Sequence, residues 1–326
     1  MTHAVSMQGV RKTFGPKVAV EGIDLTIPEG SIYGFIGPNG AGKTTTIRMI
    51  MSILFPDRGE LSVLGKKSAV QSKDQIGYLP EERGIYKKMK VGAFLMHMGR
   101  LKGLDRAGLK PRVMEWLDRV ELADVHKKKC EELSKGMQQK VQFIAAILHD
   151  PQLLILDEPF SGLDPVNMRL LRSLIDEEHD KGKTVIFSTH VMHQAEQNCD
   201  HIVMIHQGHK VLDDTLEDIR KRFDPRALHV DPIGGDRSHD VANVPCVAHV
   251  TPIDGSLEVI LDEGVDPQLA MKSLLDAMPM NRVEIKRPSL EDVFIEIVTG
   301  GKRGADAEQL RAKLFSDNND EEEAES

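Results

Sequence analysis

The sequence is short of cysteine, of long apolar runs and of positive charge. Its three cysteines, Cys130, Cys199 and Cys246, are scattered and odd in number, which excludes a disulfide framework and fits a reducing compartment. The longest apolar runs, such as Leu153 to Leu156 or Phe143 to Leu148, fall far short of the ~18 residues a transmembrane helix needs. Work at a membrane would therefore need a membrane part supplied by another chain. The formal net charge is −9, which argues against a nucleic-acid partner. Six of the carboxylates behind it sit in the run Asp317 to Glu325, read as a disordered acidic tail, and the rest is close to balanced. The N-terminal MTHAVSMQGV has no basic segment followed by an apolar core and cleavage site, so a cytoplasmic location is expected. No fixed-period repeat is present.

What the chain does have is an ordinary globular composition, 40% hydrophobic and 29% charged over 326 residues, enough for about two domains. It also has Gly37 to Thr45, GPNGAGKTT, which fits G-x-x-x-x-G-K-[ST]. Phosphates are wrapped by backbone N–H groups, and residues without a Cβ allow the positive φ and close approach this needs. Gly37, Gly40 and Gly42 supply that freedom, with Asn39, Ala41 and Thr45 completing the loop. Lys43 is placed to reach the β- and γ-phosphates, Thr44 to hold Mg²⁺, and the following helix to add its positive dipole end. The context agrees: Ser31 to Ile36 reads as a buried strand and Thr44 to Leu54 as a helix.

Further motifs follow in order. Residues 4 to 36 alternate as strands, with a turn at Pro28-Glu29-Gly30. Phe14 lies between the first two, either a core residue or an aromatic able to stack on adenine. Two short strands are expected between Leu61 and Leu79, then a polar joint at Glu81-Glu82-Arg83-Gly84. Helices are expected at Val91 to Leu101 and Leu109 to Leu122, the second accepting Pro111 in its first turn. Ser134 stands where an N-cap would, before an apolar helix from Val141 to Leu148. Leu153 to Leu156 reads as a central parallel strand. It ends in Asp157 and Glu158, two carboxylates that are costly at a buried strand end unless they face a cation or reacting group. Asp157 reads as a Mg²⁺ ligand, direct or through water, and Glu158 as the group that orients and deprotonates an attacking water. Asp164 and Pro165 read as the N-cap and first position of the next helix. Thr184 to Ser188 is a further buried strand, and it places His190 at its carboxyl end, where open α/β sheets hold ligands. His193, His201, His206 and His209 crowd the next stretch without a carboxylate or thiol at metal-ligand spacing.

From about Val5 to Phe223 this constellation resembles the ATP-binding subunits of ABC transporters. The family's motifs occur in order: the phosphate loop, a Q-loop region at Tyr78 to Glu82, the signature at Leu133 to Gln138, Asp157 and Glu158, a D-loop at Ser161 to Asp164, and a switch histidine at His190. The resemblance implies an α/β P-loop NTPase core with an antiparallel β subdomain and a helical signature subdomain at about 85–150. It also implies ATP and Mg²⁺, and a head-to-tail dimer that sandwiches two ATP molecules. Ser134 and Gly136 would contact the nucleotide bound to the second copy, Asp164 would lie at the dimer seam, and His190 would touch the γ-phosphate. Phe14, with Val18 as a second contact, then reads as the adenine platform. Three positions depart from the family pattern. Glu81 stands where many members carry glutamine, so the metal and coupling role there is either carried by a carboxylate or weakened. Lys135 replaces a glycine and Met137 a glutamine. The wording YLPEERG and LSKGMQQK is similar to ABC-2-type exporters, whose ATPases work under separately encoded permease subunits; Glu81 to Phe94 is the expected docking stretch. A soluble ABC ATPase acting on the ribosome or DNA is the alternative.

Beyond Phe223, the strand-like stretches Ala227 to Val230, Val247 to Pro252, Leu257 to Leu261 and Arg282 to Lys286 surround a helix capped by Asp266. A last helix begins after Ser289 and ends at Gly300. The expected layout is thus 1–223 for the ATP-binding domain, 224–300 for a small α+β accessory domain resembling that of ABC-2-type export ATPases, and 301–326 for the tail.

Overall fold

The computed structural model describes residues 2–300 except Arg83, Asp224, Pro225, Asp236 and Asp254; the acidic tail lies outside the described residues. The chain divides into two compact units at Leu216 and Glu217.

The first unit opens with two long strands, β1 (His3–Phe14) and β2 (Lys17–Pro28), followed by β3 (Ile32–Ile36), α1 (Lys43–Ile50), β4 (Arg58–Val63) and β5 (Ile76–Leu79). Then come α2 (Val91–Leu101), α3 (Arg106–Arg119), α4 (Lys135–Ile147), β6 (Leu153–Asp157), α5 (Pro165–Asp180), β7 (Thr184–Thr189), α6 (Met192–Asn198), β8 (His201–His206) and β9 (His209–Thr215). β2, β1 and β4 form an antiparallel sheet, while a six-stranded sheet runs β5-β6-β7-β3-β8-β9, parallel except for β9. The two strands expected between Leu61 and Leu79 thus belong to different sheets.

One core fills the space between these sheets, with Val5, Ile23, Phe35, Ile47, Ile155 and Val203 among its fully buried members. Leu153 to Leu156 on β6 are wholly buried, as an interior parallel strand must be, and each such side chain contributes about 1.5–3 kcal/mol. The central strands β6, β7 and β3 are neighbours in register: Asp157 pairs with Ser188, and Ile36 with Thr189. Three strand ends that carry chemistry therefore emerge side by side.

Two helices differ from expectation. α1 stops at Ile50 because Ser52 takes φ 54, and Ile53 and Leu54 turn their N–H groups back to the Arg48 carbonyl at 2.9 and 3.0 Å. α3 starts at Arg106, capped by Asp105, so Pro111 falls in its second turn, on an exposed face where water can take the unpaired carbonyl. It ends before Glu121, which takes φ 61. α4 starts at Lys135, as a cap at Ser134 requires, and the Ser134 hydroxyl accepts the Met137 N–H at 3.3 Å.

In the second unit, which starts within α7 (Leu216–Arg222), the elements are β10 (Ala227–Pro232), α8 (Ser238–Ala242), β11 (Val247–Ile253), β12 (Ser256–Leu261), α9 (Pro267–Ala277), β13 (Met280–Ile285) and α10 (Leu290–Thr299). Its antiparallel sheet runs β11-β12-β10-β13 over a core that includes Leu228, Val259 and Leu274. Asp266 caps α9 through the Gln268 N–H at 2.9 Å, and Ser289 and Asp292 form a capping box on α10.

Candidate active site

The loop after β3 takes backbone conformations that its glycines permit: φ is 146 at Gly37, 75 at Gly40 and 113 at Gly42. A Cβ on Gly37 would lie 2.1 Å from the Ile205 carbonyl oxygen, and one on Gly42 2.6 Å from that of Ala19. Neither position has room for a side chain. The tip of the β8–β9 hairpin braces the same loop: Gly208 donates its N–H to the Ala41 carbonyl at 2.8 Å and accepts the Glu21 N–H at 2.9 Å. This brace was missed in the sequence, although Gln207-Gly208 between apolar stretches is a hairpin signal. No side chain caps α1, so its first-turn N–H groups are left to an anion.

Lys43 is buried, and its Nζ donates to the carbonyls of Gly37 at 2.6 Å and Pro38 at 3.3 Å. Burial lowers its pKa, opposed by the charges of Glu158, Asp157 and Glu81. A phosphate arriving here would meet an ammonium already held in place by the loop.

Asp157 ends β6 inside the core. Ser188 Oγ donates to its Oδ1 at 2.7 Å, while Oδ2 is buried with no hydrogen-bond partner among the described residues. Burial pushes its pKa up to about 6, against the lowering effect of the Ser188 hydrogen bond. An orphaned carboxylate oxygen whose charge is disfavoured is what a cation would relieve, so the donor set fits Mg²⁺.

Glu158 adopts φ 48, a left-handed conformation for a residue with a Cβ, a strain of about 1–3 kcal/mol. Its N–H is tied to the Ser188 carbonyl at 2.9 Å. The carboxylate is held at both oxygens: Thr189 Oγ1 donates to Oε2 at 3.0 Å, and Oε1 accepts the His190 N–H and faces His190 Nδ1, each at 2.8 Å. With the carboxylate ionised, Nδ1 is the protonated ring nitrogen.

A cavity of about 260 Å³ is lined by Phe14, Lys17, Ala19, Asn39 to Thr45, Glu81 and Glu158; Asp157 and His190 stand behind Glu158, outside the lining. Phe14 is 48% exposed, so it is not a core residue. Val18 does not line the cavity; Lys17 and Ala19 do, because alternate side chains on a strand leave opposite faces. Ser134, Gly136 and Asp164 lie outside the lining. Ser134 is exposed, and a Cβ on Gly136 would meet Leu163 Cδ2 at 3.3 Å. Asp164 caps α5, accepting the N–H groups of Val166 and Asn167 at 2.9 and 3.0 Å. No helix among the described residues is long and apolar enough to cross a membrane.

Residues 20–161 match the family described as ABC transporter, and residues 215–298 match the ATP-binding protein DrrA1-3-like, C-terminal domain. The chain is 39% identical over 297 residues to the uncharacterized ABC transporter ATP-binding protein YhaQ of Bacillus subtilis (strain 168), covering 90% of this chain and 98% of that one. It is 30% identical over 298 residues to the Nod factor export ATP-binding protein I of Rhizobium sp. (strain N33), covering 90% and 96%. A solved structure of an ATP binding subunit of an ABC transporter superposes with a TM-score of 0.63 at 31% identity, covering 68% of this chain and 93% of that chain. The chain belongs to the ABC transporter ATP-binding proteins. It is an ATP-binding, ATP-hydrolysing P-loop protein with a DrrA-like C-terminal domain, and the resemblance to ABC-2-type export ATPases holds.

Proposed function

We propose that this chain powers an exporter from the cytoplasmic face of the membrane, dimerising on ATP and driving separately encoded permease subunits. The observation that carries the reading is the division of the site. The cavity collects the phosphate loop, Glu81 and Glu158 but none of the signature residues, while Ser134 is exposed at the start of α4. A second copy placed head to tail would bring its Ser134 and Gly136 to the open side of the nucleotide, with Asp164 at the seam.

In this reading Phe14 stacks on the adenine, the N–H groups from Asn39 to Thr45 wrap the phosphates, and Lys43 takes the charge of the γ-phosphate. Thr44, Asp157 and Glu81 would hold Mg²⁺, which when bound neutralises charge on the phosphate oxygens. Glu158, fixed by Thr189 and by His190, accepts the proton of the attacking water. The His190 ring, oriented by its Nδ1 contact, presents its far edge toward the γ-phosphate. Residues 1–223 act as the ATP-binding domain and 224–300 as its accessory domain. Export is favoured by the relative whose name is Nod factor export ATP-binding protein I.

The test is Glu158→Gln. With Mg²⁺ and ATP, light scattering should report a dimer in this variant and a smaller dimer population in the turning-over parent. Hydrolysis should fall roughly 10²- to 10⁴-fold while ATP still binds. Near-normal turnover removes Glu158 from the role of base, and a mass that stays monomeric with ATP bound removes the dimer. Crosslinks between Glu81 to Phe94 and the permease would support the docking; a map placing this stretch far from it would refute that part.

A further inference from the structure

Glu158 is followed by a proline, which contributes no N–H, so the turn beyond it is held through carbonyls. Glu158 itself accepts the Ser161 N–H at 3.2 Å, a bond within the turn. The Pro159 carbonyl accepts from Gln139 Nε2 on α4 at 3.0 Å, an anchor from outside the turn. Three residues further along α4, on the same face, Gln142 Nε2 donates to the Glu82 carbonyl at 3.4 Å, and its buried Oε1 has no partner among the described residues.

Both amides are buried, between apolar neighbours such as Val141, Phe143 and Ile144. A buried amide is a poorer packing choice than an apolar side chain unless its hydrogen bond accomplishes something. What Gln139 accomplishes is specific to its place. Glu158 is at positive φ, so the direction of its side chain depends on the peptide planes on both sides. Ser188 holds the plane before it, and Gln139 holds the segment after it.

We infer that Gln139 is a positioning residue for hydrolysis, clamping the turn that carries Glu158 to the helix that Ser134 caps, with Gln142 linking the same helix to the joint that carries Glu81. Any displacement of α4 imposed at Ser134 to Gly136 is then transmitted to the group that takes the proton. This rests on the reading of Glu158 as general base.

The experiment compares steady-state hydrolysis of Mg²⁺-ATP by the full chain carrying Gln139→Met, which has similar length and no donor. The expected result is a kcat lower by roughly 10- to 10²-fold, with KM for ATP within about twofold. In a Glu158→Gln background the same change should alter the single-turnover rate by less than about twofold, because there is no base left to misplace. Gln139→Glu provides a second readout that does not depend on the first variant folding. Its side chain can donate to Pro159 only when protonated, so its kcat relative to the parent should rise as pH is lowered from 8 to 6. A Gln139→Met kcat within twofold of the parent, equal losses in both backgrounds, or a flat Gln139→Glu ratio overturns the inference. If Glu158→Gln alone turns over near-normally, the base assignment fails, and that result is separate from any outcome at Gln139.

Discussion

His190 reaches the same oxygen of Glu158 twice, through its backbone N–H and through Nδ1, each at 2.8 Å. The two contacts separate in a mutant. His190→Ala removes the ring and keeps the backbone donor and Thr189, so Glu158 stays in place. Turnover is expected to fall about 10²-fold, with ATP affinity changed by less than about threefold. Single-turnover hydrolysis alongside equilibrium binding of ATP measures both; a matching loss of affinity would mean that His190 mainly binds.

Asp157 makes the opposite kind of case, a group whose charge costs stability. Its folded pKa of about 6 lies above the ~3.9 of an unfolded carboxyl. The penalty is therefore fully present above about pH 6 and fades as pH falls toward 4. Without Mg²⁺ and nucleotide, Asp157→Asn should gain roughly 1–3 kcal/mol at pH 8 while hydrolysis drops roughly 10²-fold or more. Urea unfolding at pH 8 is the check, and a less stable variant would contradict the account.

His149 works in the reverse direction over an overlapping window. Burial, reinforced by the Lys102 charge, depresses its pKa to about 4, and its Nε2 donates to the Ile76 carbonyl at 3.0 Å. The unfolded value is about 6.5, so the neutral ring's advantage is lost as pH falls from about 6.5 through 4. The two slopes oppose each other in the parent. Relative to it, Asp157→Asn should lose stability more steeply below pH 6, and His149→Gln should flatten or reverse that limb. Urea midpoints at pH 4.5, 5.5, 6.5 and 7.5 distinguish these outcomes.

Phe14, 48% exposed on the cavity wall, should act on binding alone. Phe14→Ala is expected to raise KM for ATP about 3- to 10-fold, the worth of one aromatic stack, with kcat nearly unchanged. Val18→Ala, on the other face of β2, should leave both constants alone. Steady-state kinetics over a range of ATP concentrations decides this.

Ser134→Ala removes a single cap bond to the Met137 N–H, worth about 1 kcal/mol of stability. In the proposed dimer the same hydroxyl would meet the other copy's ATP. ATP binding to isolated chains should survive, whereas ATP-driven dimerisation of the Glu158→Gln protein should weaken clearly in a concentration series by light scattering. Unchanged dimerisation would leave the serine with its cap alone.

Some of this site could be read along the chain because its logic is local or periodic. The phosphate loop is a run of adjacent residues, and the ends of the apolar runs at Leu153 to Leu156 and Thr184 to Ser188 mark where a parallel sheet delivers ligands. Lys17 and Ala19 could not be read that way. β1 and β2 shift register between Val10 and Lys12 and again between Lys12 and Thr13, and each irregularity changes which face a side chain takes. The Gly208 brace was hidden for another reason: its partners, Ala41 and Glu21, are distant in sequence and belong to different layers. The Gln139 contact likewise joins a helix to a turn that only the fold brings together.

Gly208 also sets a limit on transplantation. One residue stitches Ala41 to Glu21, through its N–H and its carbonyl, and the Ile205 carbonyl fills the space a side chain at Gly37 would need. Cut out as a linear GPNGAGKTT peptide, or grafted between an unrelated strand and helix, the motif would keep its letters and lose its mould. The recipient scaffold would have to supply a hairpin tip at the same height before the graft could hold a triphosphate.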